Sequence, residues 1–166
     1  MKLKLTATIK KEALLPPAIQ DVDLQKELNK PGIVQQVNES DQVTNLDQAL
    51  KQLWKKYPAY GNWDGEALIA DLVSIGEKSK IAFGVGFGPD KNAAGNEARV
   101  DLAYKILDND EQLYKQYKND KKRINVLKDE SQGGTRNLSF SIMGTMIRGS
   151  YPHKNGTNYA LVTFWD

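Results

Sequence analysis

Apolar and polar positions along this chain repeat with two periods, and the switches between them mark out the elements. Leu3, Leu5, Ala7 and Ile9 fall at every second residue, which predicts a half-buried amino-terminal strand. Pro16-Pro17 then breaks the chain, the pattern weakens from about 20 to 40, and Pro31-Gly32 marks a turn. From Val43 the period becomes helical: Val43, Leu46, Ala49, Leu50, Leu53, Trp54 and Tyr57 recur at three- and four-residue steps. Thr44 to Asp47 has the spacing of a capping box, and Pro58 closes the helix because the residue before a proline avoids helical angles. A shorter helix is predicted from Asp64 to Ile75, with Leu68, Ile69, Leu72 and Val73 inward and Gly76 as its left-handed cap.

The sharpest signal is Ile81-Ala-Phe-Gly-Val-Gly-Phe-Gly88. Alternate side chains of a strand point to opposite faces, so Ile81, Phe83, Val85 and Phe87 make one face apolar. Ala82, Gly84, Gly86 and Gly88 leave the other face almost bare backbone. Glycine weakens a strand, so its repetition on one face predicts a close neighbour. The helix that follows, Asn92 to Leu107, opens with the small residues Ala94, Gly95 and Ala98 and is the expected neighbour. Its inward stripe runs Ala94, Ala98, Leu102, Ile106, then Leu113 and Tyr117, with fraying expected at Asp108-Asn-Asp110.

The charged stretch from Asn119 to Asn137, with Gly133-Gly134, is expected to be a mobile surface loop. The remainder reads as a hairpin. Phe140, Ile142, Gly144, Met146 and Arg148 alternate on one strand, Tyr159, Leu161, Thr163 and Trp165 on its return, and Pro152 to Gly156 turns between them. The order β–α–α–β–α–β–β predicts an α+β fold in which a long helix packs across a mostly antiparallel sheet, a two-layer sandwich.

A chain of 166 residues suits one domain with a substantial core. Against 21 acidic residues stand 23 basic ones, too small an excess to imply a nucleic-acid or membrane partner by itself. No run approaches the roughly 20 apolar residues of a membrane helix. The start, Met1 to Ile9, alternates and is not a signal peptide, so the chain is expected to be either cytosolic or a mature form with Met in place of an export signal. The absence of cysteine excludes disulfides and thiolate metal sites and suits either compartment.

Candidate chemistry is sparse. Gly84, Gly86 and Gly88 form G-x-G-x-G, but the third slot of a dinucleotide fingerprint holds Pro89, and no phosphate loop occurs. Asp108 to Gln112 begins like a calcium loop, yet Leu113 stands where the turn needs glycine and Asn119 where it needs glutamate. His153, the single histidine, is expected in a solvent-exposed turn, with no cysteine to join it on zinc and no identifiable orienting acid. Asp21 and Asp23 lie in a polar segment with no sign of burial. Lys115, Lys118, Lys121, Lys122 and Arg123, interleaved with Tyr114 and Tyr117, offer a single-strand nucleic-acid surface, but nearby acids dilute it and a solvated helix end is the favoured reading. Trp54, Tyr57, Tyr60 and Trp63 gather across Pro58 and Gly61 as a candidate partner surface, although Trp54 and Tyr57 at helical spacing also suit a core.

One pattern covers residues 63 to 165. Trp63 leads a short helix, Phe83-Gly-Val-Gly-Phe-Gly88 follows, the next helix carries Ala98-Arg-Val-Asp-Leu-Ala103, and the last strand begins Gly156-Thr-Asn-Tyr-Ala-Leu-Val162. This resembles the Lpp-twenty-type family of bacterial surface lipoproteins and the related amino-terminal domain of the flagellar assembly protein T. The lipid-bearing cysteine of a mature lipoprotein is missing from the chain. The resemblance implies a lipoprotein-like α/β module over 61–166, with 1–60 as an extension packed on the same core. It implies structural roles for Gly84, Gly86, Gly88, Ala98, Arg99, Ala103, Gly156 and Tyr159. The implied function is that of a non-enzymatic envelope or surface protein, in the periplasm or at the outer membrane, working through a protein partner or as a homodimer, with no cofactor or metal. The alternative is a cytosolic nucleic-acid-binding module using the basic segment 115–123.

Overall fold

The helical stripe beginning near Leu46 becomes helix α1 (Glu39–Lys56), which buries Leu46, Ala49, Leu50 and Leu53 and ends just before the buried Tyr57. The computed structural model describes residues 2–10, 39–120 and 123–165. The expected break at Pro16-Pro17, the turn at Pro31-Gly32, and Asp21, Asp23, Lys121 and Lys122 lie outside the described residues. Because α1 starts at Glu39, Thr44 lies inside it and the expected capping box does not mark its beginning. Helix α2 (Gly65–Ser79) starts where Asp64 accepts the Glu66 N–H at 3.0 Å. It runs through Gly76. A Cβ there would stand 2.7 Å from the ring of Phe83, so this glycine makes room for an aromatic, and the left-handed cap falls instead on Lys80 at φ 58°.

The strands are β1 (Lys2–Lys10), β2 (Phe83–Gly88), β3 (Ile124–Gln132), β4 (Thr135–Met143), β5 (Thr145–Pro152) and β6 (Asn158–Phe164). They form two antiparallel three-stranded sheets, ordered β1-β4-β3 and β2-β6-β5. Helix α3 (Lys91–Asp108) and the short α4 (Gln112–Lys115) follow β2, with the helix interrupted at the expected Asp-Asn-Asp segment. The class is α+β.

Two strand expectations change. The stretch from Asn119 to Asn137 is not a loop but holds β3 and the first residues of β4, joined by Gly133 and Gly134 at φ 58° and 84°. Positive φ at both central residues is what a type I′ two-residue hairpin turn requires. Beyond Ile124 every β3 side chain is exposed, so the strand carries no period-2 apolar signal. The strand expected to run from Phe140 to Arg148 breaks at Gly144, whose φ of 76° passes the chain from one sheet to the other.

The glycine strand lies where its pattern places it. Phe83 and Val85 face α1 and α2 in one core cluster with Leu50, Leu53, Leu68, Leu72 and Leu161. On the other face a Cβ at Gly84 would meet the carbonyl oxygen of Ala98 at 2.0 Å, and one at Gly86 would meet the Ala98 nitrogen at 2.3 Å. At Gly88 the obstruction is the Ala93 methyl at 2.8 Å. The backbone of α3 therefore rests directly on β2, and Ala98, Leu102, Ala103 and Ile106 continue into a second cluster with Val162, Phe164, Leu138, Phe140 and Ile142. Helices thus cover both faces of the second sheet.

Its outer strand is closed by side chains. Asp101, 8% exposed, accepts the Val85 N–H at 2.9 Å, and Lys105 pairs with it at 3.1 Å. Lys105 and Tyr114 both donate to the Phe83 carbonyl at 3.3 Å. Burial pushes the Asp101 carboxyl above the ordinary aspartate range, against the opposing pull of Lys105 and the Val85 amide.

Candidate contact surface

The four aromatics of the 54–63 region divide between the interior and the surface. Tyr57 is buried, and its hydroxyl donates to Asp71 at 2.5 Å. Asp71, itself 1% exposed, also meets the Lys56 ammonium at 3.2 Å, which ties the end of α1 to the middle of α2. Trp63 is half-buried among rings, 5.4 Å from Tyr57, 4.5 Å from His153 and 5.5 Å from Tyr159, with its indole N–H on the Pro58 carbonyl at 2.7 Å. Trp54 and Tyr60 remain outside, 50% and 73% exposed.

Both outer rings belong to segments fastened along the free edge of β5. The Trp54 indole donates to the Ser150 carbonyl at 3.3 Å and lies 6.3 Å from the Tyr151 ring. Two residues along the strand, the Pro152 carbonyl accepts the Tyr60 N–H at 2.8 Å. Lys154 N–H then donates to Gly61 at 2.9 Å, completing a parallel bridge between Gly61 and His153. Tyr60 adopts φ 61°, left-handed backbone that disfavours any side chain with a Cβ. Its ring is mostly in solvent, so internal packing does not explain why tyrosine occupies a position suited to glycine.

His153 is not the exposed turn residue expected from sequence. It is 6% exposed, accepts the Asn155 N–H on Nδ1 at 2.9 Å, and so carries its proton on Nε2, 2.6 Å from the Trp63 carbonyl. The bridge to Gly61 draws the turn under the 57–63 connection and buries the imidazole. No local signal encodes that contact.

The remaining sequence candidates serve packing or end up on the surface. Arg99 donates to Thr145 Oγ1 at 2.8 Å and to Asn96 at 3.1 Å, and burial lowers its pKa. Ala98 and Ala103 are fully buried in the α3 seam, Gly156 supplies the turn at φ 94°, and the Tyr159 hydroxyl fills the space a Cβ on Gly65 would need. In the basic segment Lys115 and Lys118 are exposed. Tyr117, however, stacks on Phe164 at 4.9 Å, and Arg123 lies over both rings while pairing with Asp120. Among the described residues no three His, Asp or Glu side chains converge, and no helix is long and apolar enough to cross a membrane.

These features define an α+β scaffold whose glycine face is filled by helix backbone and whose exposed aromatics sit beside one sheet edge. Among known proteins, no family model, no curated protein and no solved structure matches the chain.

Proposed function

We propose that this chain is a non-enzymatic bacterial envelope or surface protein of the Lpp-twenty-type lipoprotein group, acting through protein–protein contacts at the surface that bears Trp54 and Tyr60. The observation that carries the reading is the seating of α3 on β2. The chain's most distinctive residues, Gly84, Gly86 and Ala98, bring two backbones together and leave that face filled by protein. Support also comes from the element order, in which a glycine strand lies under an Ala-Arg helix and pairs with the closing strand that follows Gly156. Tyr60 adds to it, since a strained backbone beneath an exposed ring points to a use outside the fold. Fractionation of cells expressing the native gene tests the compartment: recovery with the envelope is expected, and recovery wholly in the cytoplasm refutes the reading. Light scattering of the purified chain decides between self-association and a different partner.

A further inference from the structure

The surface proposed above has a charge as well as an apolar character, and a docking role for it rests on that functional reading. Lys51 lies one helical turn before Trp54 on α1, Lys55 follows it directly, and Lys154 bonds through its backbone to Gly61 beside Tyr60. All three lysines are exposed, and none is ion-paired among the described residues. Of the nearby acids, Asp47 pairs with Arg148 and Asp71 with Lys56, while the charges of Asp64 and Glu66 lie on the Tyr159 side. The result is two exposed rings flanked by three exposed lysines. The anchors of the two ring-bearing segments, the carbonyls of Ser150 and Pro152, are two residues apart on a strand, roughly 7 Å. The two segments that carry the rings therefore lie side by side along one strand edge.

We propose that Trp54, Tyr60, Lys51, Lys55 and Lys154 form a docking surface for an acidic polypeptide segment that also carries apolar side chains. The rings receive the apolar side chains and the lysines the carboxylates. The hydrogen bond that holds the Trp54 indole, and the one that holds the Tyr60 backbone, reduce the ordering that binding would otherwise require. Opposite charge steers the encounter and makes it sensitive to salt.

Fluorescence anisotropy of a labelled peptide alternating Glu and Leu, titrated with the full chain, tests this. Comparators are peptides alternating Lys with Leu and Glu with Ser, anionic phosphatidylglycerol vesicles, and single-stranded DNA. The Glu-Leu peptide is expected to bind, and more weakly as salt rises. Trp54→Ala and Tyr60→Gly should each lower its affinity about tenfold or more, as central aromatic anchors do. Replacing Lys51 and Lys55 together by Gln should weaken binding and flatten the salt dependence, and Lys115→Gln should do neither. Tyr60→Gly guards against misfolding, because glycine suits the backbone there. Failure of the Glu-Leu peptide to bind at low salt overturns the proposal, as does equal binding of the Lys-Leu peptide or undiminished binding by both aromatic variants. Binding confined to vesicles or DNA also overturns it. The wider functional reading survives those results if the native product fractionates with the envelope. Cytoplasmic recovery sinks that reading even if the peptide binds.

Discussion

Adding one methyl group to the glycine face tests the structural claim on which the functional reading depends. In open space, Gly→Ala in a strand stabilises by about 0.5–1 kcal/mol, because the unfolded chain loses freedom. At Gly84 the new Cβ would lie 2.0 Å from the Ala98 oxygen and 2.7 Å from the Leu102 nitrogen, where carbon contacts need about 3.5 Å. Those atoms are helix backbone and cannot rotate away. The helix must therefore lift off a seam in which Ala98, Leu102 and Ile106 are fully buried. Overpacking alone costs about 1–3 kcal/mol. Loosening the seam adds to this, so Gly84→Ala should destabilise by about 3 kcal/mol or more. For a chain of this size that lowers Tm by roughly 6–12 °C. Gly86→Ala, with the Ala98 nitrogen at 2.3 Å, should behave similarly, and Gly88→Ala, facing only the Ala93 methyl at 2.8 Å and helix backbone at 3.1 Å, should be milder. Trimming Ala98 to glycine should not rescue Gly84→Ala, because the obstructing atoms belong to the main chain. Urea and thermal denaturation followed by circular dichroism measure all of this. If Gly84→Ala and Gly86→Ala are as stable as the parent, α3 does not rest on β2 and the scaffold reading fails with it.

Tyr60→Gly should be more stable than Tyr60→Ala by about 1 kcal/mol in urea unfolding, because only glycine relieves the left-handed strain; equal stabilities would show that the strain is absent. Tyr57→Phe removes the hydroxyl that donates to the buried Asp71 carboxylate and should cost about 2 kcal/mol by the same assay, whereas a loss near zero would place the hydroxyl in solvent. The pH profile should carry two aspartates of opposite sign. Hydrogen bonding to Arg136 lowers the Asp129 pKa, so its stabilisation is complete above the ordinary aspartate value of about 4 and is lost as pH falls through the lower folded value. Arg136→Met should flatten that acid loss, by under about 1 kcal/mol because Asp129 lies at the surface. Burial raises the Asp101 pKa, so its contribution is present below about 4 and is lost as pH rises through the raised folded value; carboxyl NMR titration of Asp101→Asn against the parent should remove a high midpoint.

What could be read from the sequence follows from where each element keeps its apolar side chains. The glycine strand is legible because its two faces differ completely, and the helix that seals it is legible because small residues sit at its contact turn. Strand β3 is not, since from Asn125 to Gln132 every side chain meets solvent and alternation has nothing to select. Only Gly133-Gly134, two glycines flanked by polar runs, marks the hairpin in advance. His153 and Gly76 fail for a different reason. Each is explained by a partner far along the chain, Gly61 with Trp63 in one case and Phe83 in the other, so no window around it contains the cause. The aromatic cluster was half legible. Helical spacing puts Leu53 and Tyr57 on one face with Trp54 a single position past Leu53, but whether Trp54 turns into the core or out to the β5 edge depends on Ser150, almost a hundred residues away.

The two edges of the second sheet make the functional contrast physical. A strand edge with unpaired N–H and C=O groups invites pairing with another chain unless something covers it. Along β2 the cover is a buried carboxylate, an ammonium and a phenol, groups whose hydrogen bonds are spent on Val85 and Phe83 and whose side chains point inward. Along β5 the cover is an indole and a tyrosine backbone, and the rings themselves are left in water. The groups that cover the β2 edge are themselves buried or partly buried, although Phe87 on the same strand is 52% exposed. At β5 one exposed ring sits on left-handed backbone and lysines flank the other, which is why the proposed docking surface is placed there.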